Sequence, residues 1–395
     1  MPEDLVREAY ELLPLLTAWR RDFHRHPELG LECHRTGAKV LEHLQTLGWE
    51  ASGGWAQTGV VGVLYPPRER GGRAVALRVD MDGLPLQEAT GAPYASVNPG
   101  VAHACGHDGH LAVGLGVAEL LSRHRDKLAC PVKLIFQPGE EHPGGAAPMI
   151  EQGVLDNPQV DAVFGFHLFP DLPAGHFGLR YGVMTAGSTD FSIVLRGKGG
   201  HAGHPHLSVD PVPALAAFVD AVQLLVSRAT GPLVPLVISF GRIYGGAVLN
   251  AIPEEVCLEG TVRALSEEIA RFAVGRMREI LAGLRLTHGV EGEFRELGSE
   301  PAMFCDPAVT SFAEECLVAM WGRDRVIRIT EPSMGSEDFA RFARAAPATY
   351  IRIGIRDAQQ GFLHPLHHPA FDFDEGALPP AVAGMAFLLL QWGRR

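Results

Sequence analysis

Residues 103 to 110 read HACGHDGH, which places three histidines, a cysteine and an aspartate within eight positions, with Gly106 and Gly109 freeing the backbone between them. Thiolate, imidazole and carboxylate together form a ligand set for Zn²⁺ or a neighbouring first-row metal. Cys105 and His107 sit two apart across Gly106, so a turn there can aim both side chains at one point. The same residues admit two other readings: a cysteine nucleophile with His107 as its base, or a polar turn around a buried cysteine. Glu140 and Glu141 form an adjacent acidic pair beyond a Pro138-Gly139 turn. Successive side chains face different directions, so one carboxylate can hold a metal while the other moves a proton; a solvated edge is the plainer alternative. His167 closes the apolar run VDAVFGFH, where a hydrogen-bonded core histidine is the ordinary reading, and HPLHHPAFDFDE supplies His364, His367 and His368.

The elements that must position these residues are short apolar runs ending in polar clusters: AVALRVDMDGLP (74 to 85), VKLIFQPGEE (132 to 141), VDAVFGFHLFP (160 to 170) and ATYIRIGIR (348 to 356). Helical spacing of apolar positions covers 3 to 24, 34 to 47 and 110 to 125. Strands alternating with helices predict an α/β fold, a mostly parallel sheet covered by helices, and in three runs the reactive residues fall at or after the C-terminal end, where open α/β sheets place their sites. From about residue 187 the texture changes to strand, helix, strands, helix and strand. Asp210 is an expected N-cap ahead of Pro211, and Ser266 another ahead of Glu267 and Glu268. Residues 187–298 are therefore expected as an inserted, smaller α/β sandwich, and 1–186 with 299–395 as a discontinuous catalytic domain.

A length of 395 residues favours two domains over one core. The formal charge of −12, with no basic stripe, argues against nucleic acid as a partner and leaves a small molecule as the expectation. The absence of an unbroken run of about 18 apolar residues argues against a membrane span, and six scattered cysteines do not form a disulfide framework. A cytoplasmic location is expected.

The ordered set RRDFHRHPELG, RVDMDGLPLQE, HACGHDGH, FQPGEE, FGFHLFP, GKGGHAGHPHLSVDP, NAIPEEVCLEGTVRAL, MGSEDFA and PLHHPAFDFDE runs from residue 20 to 375. In these stretches the chain resembles the M20 metallopeptidase clan, in its amidohydrolase branch of hippurate hydrolases, N-acyl-amino-acid amidohydrolases and plant auxin-conjugate hydrolases. The resemblance implies a two-metal site in which Cys105 bridges both ions, His107 and His167 complete one protein shell, and Glu141 and His367 complete the other. It implies Glu140 as the general base that takes a proton from the attacking water and returns it to the departing amine. His367 is preferred to His368 on the family's L-H-x-P-x-F pattern. The wider clan's H-x-D motif is here RVD, so Arg78 stands where a histidine ligand would, and Asp80 is left to orient a ligand or to end a strand. His201 is similar to the histidine that reaches a partner subunit's site and stabilises the oxyanion. Asn250 and Arg263 are candidates for the substrate's carboxylate or amide. His103, Asp108 and His110 remain supporting or structural residues.

These implications define a metal-dependent hydrolase of N-acyl amino acids (N-acetyl, N-benzoyl or similar) using two divalent ions, with Zn, Mn, Co and Ni all tolerated by the ligand mixture. It would be a homodimer or larger homo-oligomer joined through the inserted lid domain. The alternatives are a dipeptidase or carboxypeptidase of the same clan and an inactive small-ligand-binding homologue.

Overall fold

The computed structural model describes residues 2–67, 71–357, 359 and 361–394. They form two compact units, Met1–Gly182 with Phe304–Glu331 and Arg341–Arg395, and Val183–Met303 with Pro332–Ala340. These limits differ slightly from the 186/187 and 298/299 joins read from the sequence. The larger difference is the segment 332–340, expected with the catalytic part. Its Ser333 exchanges backbone hydrogen bonds with Met184 and Ala186, and Arg263 reaches Ser336, which ties it to the second unit.

In the first unit, strands β1 (Glu50–Trp55), β2 (Gly59–Leu64), β3 (Ala74–Asp80), β4 (Val132–Gln137) and β5 (Val160–Pro173) join three later strands, Phe177–Leu179, Val326–Arg328 and Ala348–Arg356. Their order across the sheet is β1, β2, β4, β3, β5, Ala348–Arg356, Phe177–Leu179, Val326–Arg328. The four central strands from β4 to Ala348–Arg356 are parallel. Every residue of β3 and β4 is buried, as expected of parallel strands covered on both faces.

The helix His107–Arg123 is buried on nearly all sides through its first three turns, so it packs as a core element rather than as an amphipathic cover. Gly106, at φ +86°, provides the left-handed turn that starts it. A Cβ at Gly109 would lie 2.5 Å from Leu168 Cδ1 and 2.6 Å from Phe373 Cζ, so only glycine lets this helix close onto β5. The helix expected over 3 to 24 is two helices, Pro2–Glu11 and Leu13–Arg25, because Pro14 cannot continue the first helix's ladder but suits the opening turn of the second.

The second unit is a four-stranded antiparallel sheet in the order Leu236–Gly245, Glu255–Ala264, Gly187–Arg196, Glu291–Glu300. Helices Pro211–Leu224 and Glu267–His288 share a core with it, centred on Phe191, Ile193, Phe218, Leu258 and Met277. Both expected caps are present: Asp210 accepts from Val212 N and Ser266 from Ile269 N. Among the described residues one helical stretch, Pro211–Ala229, is long and apolar enough to cross a membrane by length and composition, with mean hydropathy 1.5. Ala214, Phe218 and Val222 on it are buried in this core.

Candidate active site

Five chain segments of the first unit meet beyond the ends of β3 and β4 and beside the middle of β5. Asp80 closes β3, Glu140 and Glu141 follow β4, His167 lies in β5, and Cys105 and His107 flank Gly106 at the start of the buried helix. The fifth segment brings His367, whose amide donates to the Ala104 carbonyl at 2.7 Å. His367 is the one candidate ligand held at positive φ, +65°, and strained backbone of this kind persists only where the surroundings impose it.

Of the groups of candidate ligand atoms that lie together among the described residues, two share Cys105. The ligand atoms of Cys105, His107 and His167 lie within 4.8 Å of one another, as do those of Cys105, Glu141 and His367. Cys105 belongs to both, with its Sγ 3.4 Å from His167 Nε2, and His367 Nε2 is 3.1 Å from Glu141 Oε1.

Neighbouring backbone fixes which nitrogen each buried histidine presents. His107 Nδ1 donates to the Asp82 carbonyl at 2.9 Å and His167 Nδ1 to the Leu168 carbonyl at 2.8 Å, so in the neutral form of either ring Nε2 carries the lone pair. His107 Nε2 is buried with no hydrogen-bond partner. An unsatisfied buried ring nitrogen is costly, and a position without a protein partner suits an imidazole that holds an ion. Glu140 Oε2 lies 4.0 Å from this nitrogen.

Electrostatics point the same way. Burial pushes the Cys105 thiol well above its ordinary pKa, and Glu141 and Glu140 push it further. A cysteine nucleophile needs the opposite shift, so these surroundings disfavour the cysteine-hydrolase reading. Burial opposes charge on His107, yet Asp80, Asp82 and Glu141 outweigh it and raise its pKa to about 10. A pocket that favours a histidinium and resists a thiolate is short of positive charge, so the residues fit divalent cations.

Some functional residues carried no assigned role in the sequence. Asp82 accepts from the amides of Glu140 at 2.9 Å and Glu141 at 3.1 Å, one oxygen to each, and so pins the loop carrying both glutamates. Its signal was its place in RVDMDGLP, two residues past Asp80. Arg20, fully buried, binds Asp108 at 2.7 Å, and His24 binds the same carboxylate at 2.8 Å, anchoring the first turn of the motif's helix. Asp80 contacts Arg78 and His110 directly and reaches His107 Nε2 only at 3.9 Å.

His201, Asn250 and Arg263 belong to the second unit. His201 ends the two-residue strand Gly200–His201, paired with Ala251, and the Asn250 carbonyl accepts from Ala202, so these two are neighbours. His201 Nδ1 accepts from the Gly203 amide at 2.9 Å. Arg263 lies along strand Glu255–Ala264 and bonds Thr261 at 3.1 Å and Ser336.

The model of Peptidase family M20/M25/M40 matches residues 76–391. The chain belongs to this family. It is a metal-dependent amidohydrolase of the M20 group. An N-acyl-L-amino acid amidohydrolase of Geobacillus stearothermophilus is 38% identical over 353 residues, 89% of this chain and 94% of that one. Thermostable carboxypeptidase 1 of Saccharolobus solfataricus is 36% identical over 397 residues, 100% of this chain and 99% of the relative. Among solved structures, a Bacillus subtilis dinuclear metal-binding peptidase from the M20 family superposes with a TM-score of 0.82 at 34% identity, covering 96% of this chain and 98% of that one.

Proposed function

We propose that the protein hydrolyses the amide bond of N-acyl amino acids, releasing a carboxylic acid and a free amino acid. The observation that carries this reading is the pair of ligand trios sharing Cys105, with the Glu140 carboxylate 4.0 Å from the unpartnered Nε2 of His107. His107 and His167 with Cys105 would hold one divalent ion, and Glu141 and His367 with Cys105 the other. When bound, two such ions supply Lewis acidity, easing deprotonation of a water and polarising the amide carbonyl.

The chain's own residues supply the rest. Glu140, its backbone fixed by Asp82, takes the proton of the attacking water and returns it to the departing nitrogen. His201 accepts a hydrogen bond at Nδ1, so its Nε2 carries the proton and can donate to the developing oxyanion. Asn250 and Arg263 receive the substrate's carboxylate or amide, Arg263 through its guanidinium fork. The first unit is then the catalytic domain and the second a lid and dimerisation domain. A homodimer is supported by the exposed Val212, Leu224, Leu233, Ile243, Val248 and Leu249 of the second unit. A reducing, cytoplasmic setting is supported by six free cysteines. The intact set of ligands and base opposes an inactive binding role.

The carboxypeptidase among the relatives favours one second reading, cleavage of a C-terminal residue from a short peptide. A panel of N-acetyl and N-benzoyl amino acids, dipeptides and N-blocked peptides separates the two. The proposal expects kcat/KM at least about tenfold higher on the N-acyl amino acids, a difference of about 1.4 kcal/mol in transition-state binding. A preference for peptides would replace it with the second reading.

A further inference from the structure

One chain of buried polar groups beside the candidate metal centre takes no part in the chemistry just described. His110, one turn after His107 on the same helix, is fully buried and uses both ring nitrogens. Its Nδ1 donates to Asp80 Oδ1, and its Nε2 accepts the Leu168 amide at 2.9 Å. Asp80 Oδ2 in turn accepts from Arg78, whose Nε donates to Gln137 Oε1 at 2.9 Å. At the other end, the Leu168 carbonyl is the acceptor that holds His167 Nδ1 at 2.8 Å.

This chain sits where the sheet opens. The β3 to β5 ladder ends at Leu77 opposite Phe164, whereas β3 stays paired with β4 as far as Asp80 opposite Gln137. Beyond Leu77 the two strands part, and the Leu168 amide turns to His110. One imidazole therefore joins the end of β3 to the residue that follows His167 in β5. The close approach of the helix at Gly109, with no room for a Cβ against Leu168, brings the ring within reach.

We propose that His110 is a positioning residue for the His167 half of the metal centre. It fixes residue 168, whose carbonyl sets the tautomer and direction of the His167 ring, so that His167 Nε2 faces Cys105 Sγ. His110 is not itself a ligand, because both of its nitrogens are engaged. No hydrogen bond in this chain involves Glu141 or His367, so the effect is confined to one of the two ions. Outer partners of metal ligands commonly carry a 10- to 100-fold share of metal affinity. The inference rests on the two-ion reading above.

The test is stepwise Co²⁺ binding to the full chain under reducing, anaerobic conditions, followed by the visible ligand-field and thiolate charge-transfer bands against a competing chelator. The wild-type protein should bind two ions, and His367→Ala should identify which step belongs to the other half. His110→Phe should weaken the His167-side ion by roughly 10- to 100-fold and leave the other within about threefold. His110→Gln, which restores one donor and one acceptor, should recover most of that loss. If the Phe variant does not fold, His110→Asn, too short to span both partners, should show the selective loss that His110→Gln lacks. Equal weakening of both ions, or no weakening in a folded variant, overturns the inference. Fewer than two ions on the wild-type chain overturns the two-ion reading and the inference with it.

Discussion

Cys105, His107 and His167 in the first unit are 7%, 0% and 7% exposed, whereas His201 and Asn250 in the second unit lie on the surface. The first group is held at every turn. Asp82 and Leu168 carbonyls fix the two buried rings, Asp82 oxygens pin both glutamates, and Arg20 with His24 anchors the helix start. The second group is lightly held: His201 has one local amide bond, and Asn250 offers its carbonyl to Ala202. The Cys105, His107 and His167 side of the cage is built from buried side chains, which suits ligands whose geometry must exist before an ion arrives, whereas His367 on the other side is exposed and is held through its backbone bond to Ala104. Groups that meet substrate must be reachable, and exposure suits that task.

The comparison yields a ranked set of expectations. Glu140→Gln keeps shape but loses the base, so kcat should fall by about 10⁴-fold while metal content stays at the wild-type value; a fall below tenfold would remove Glu140 from the reaction. His201→Ala should cost on the order of 10² to 10³ in kcat if the exposed histidine donates to the oxyanion, and an unchanged rate would make it an ordinary loop residue. Arg263→Ala should raise KM about tenfold with kcat retained, as expected when uniform binding to a substrate carboxylate is lost; a kcat effect of equal size would place it in the transition state instead.

The smallest effect on turnover comes from the support network, and it is read in stability. Burial opposes charge on His24, but Asp108 and Glu88 outweigh it and raise its pKa to about 9. The folded value exceeds the unfolded value of about 6.5, so the stabilisation is complete below about pH 6.5 and is lost as pH rises through about 9. Urea unfolding should show a decline on the order of 3 kcal/mol across that window, absent in His24→Asn. Parallel wild-type and variant profiles would contradict the assignment.

Much of the first unit was legible because parallel strands write themselves as apolar runs. The four runs at 74, 132, 160 and 348 are the four central strands, and the polar residues at or beyond the ends of the first two line the site; His167, expected to close the third, lies inside it because that strand continues to Pro173. Cys105 and His107 were legible as a possible ligand pair from residue type and spacing. His367 was separable from His368 only through the family pattern, because its selection depends on a backbone at φ +65° and a bond to Ala104, neither encoded in local periodicity. The assignment of segment 332–340 to the second unit was equally hidden, since it rests on pairings of Ser333 and Ser336 with residues 70 to 150 positions away. His110 drew notice as part of a histidine-rich motif, but its partners Asp80 and Leu168 are 30 and 58 residues distant, so spacing could not reveal its task.

The central claim, a two-ion hydrolase with Glu140 as base, is tested most directly by titrating metal back into chelator-treated wild-type protein while following N-acyl amino acid hydrolysis. Activity should be lost on chelation, return as metal is added, and reach its plateau at two ions per chain. Full activity in the metal-free protein, or a plateau at one ion, would contradict it.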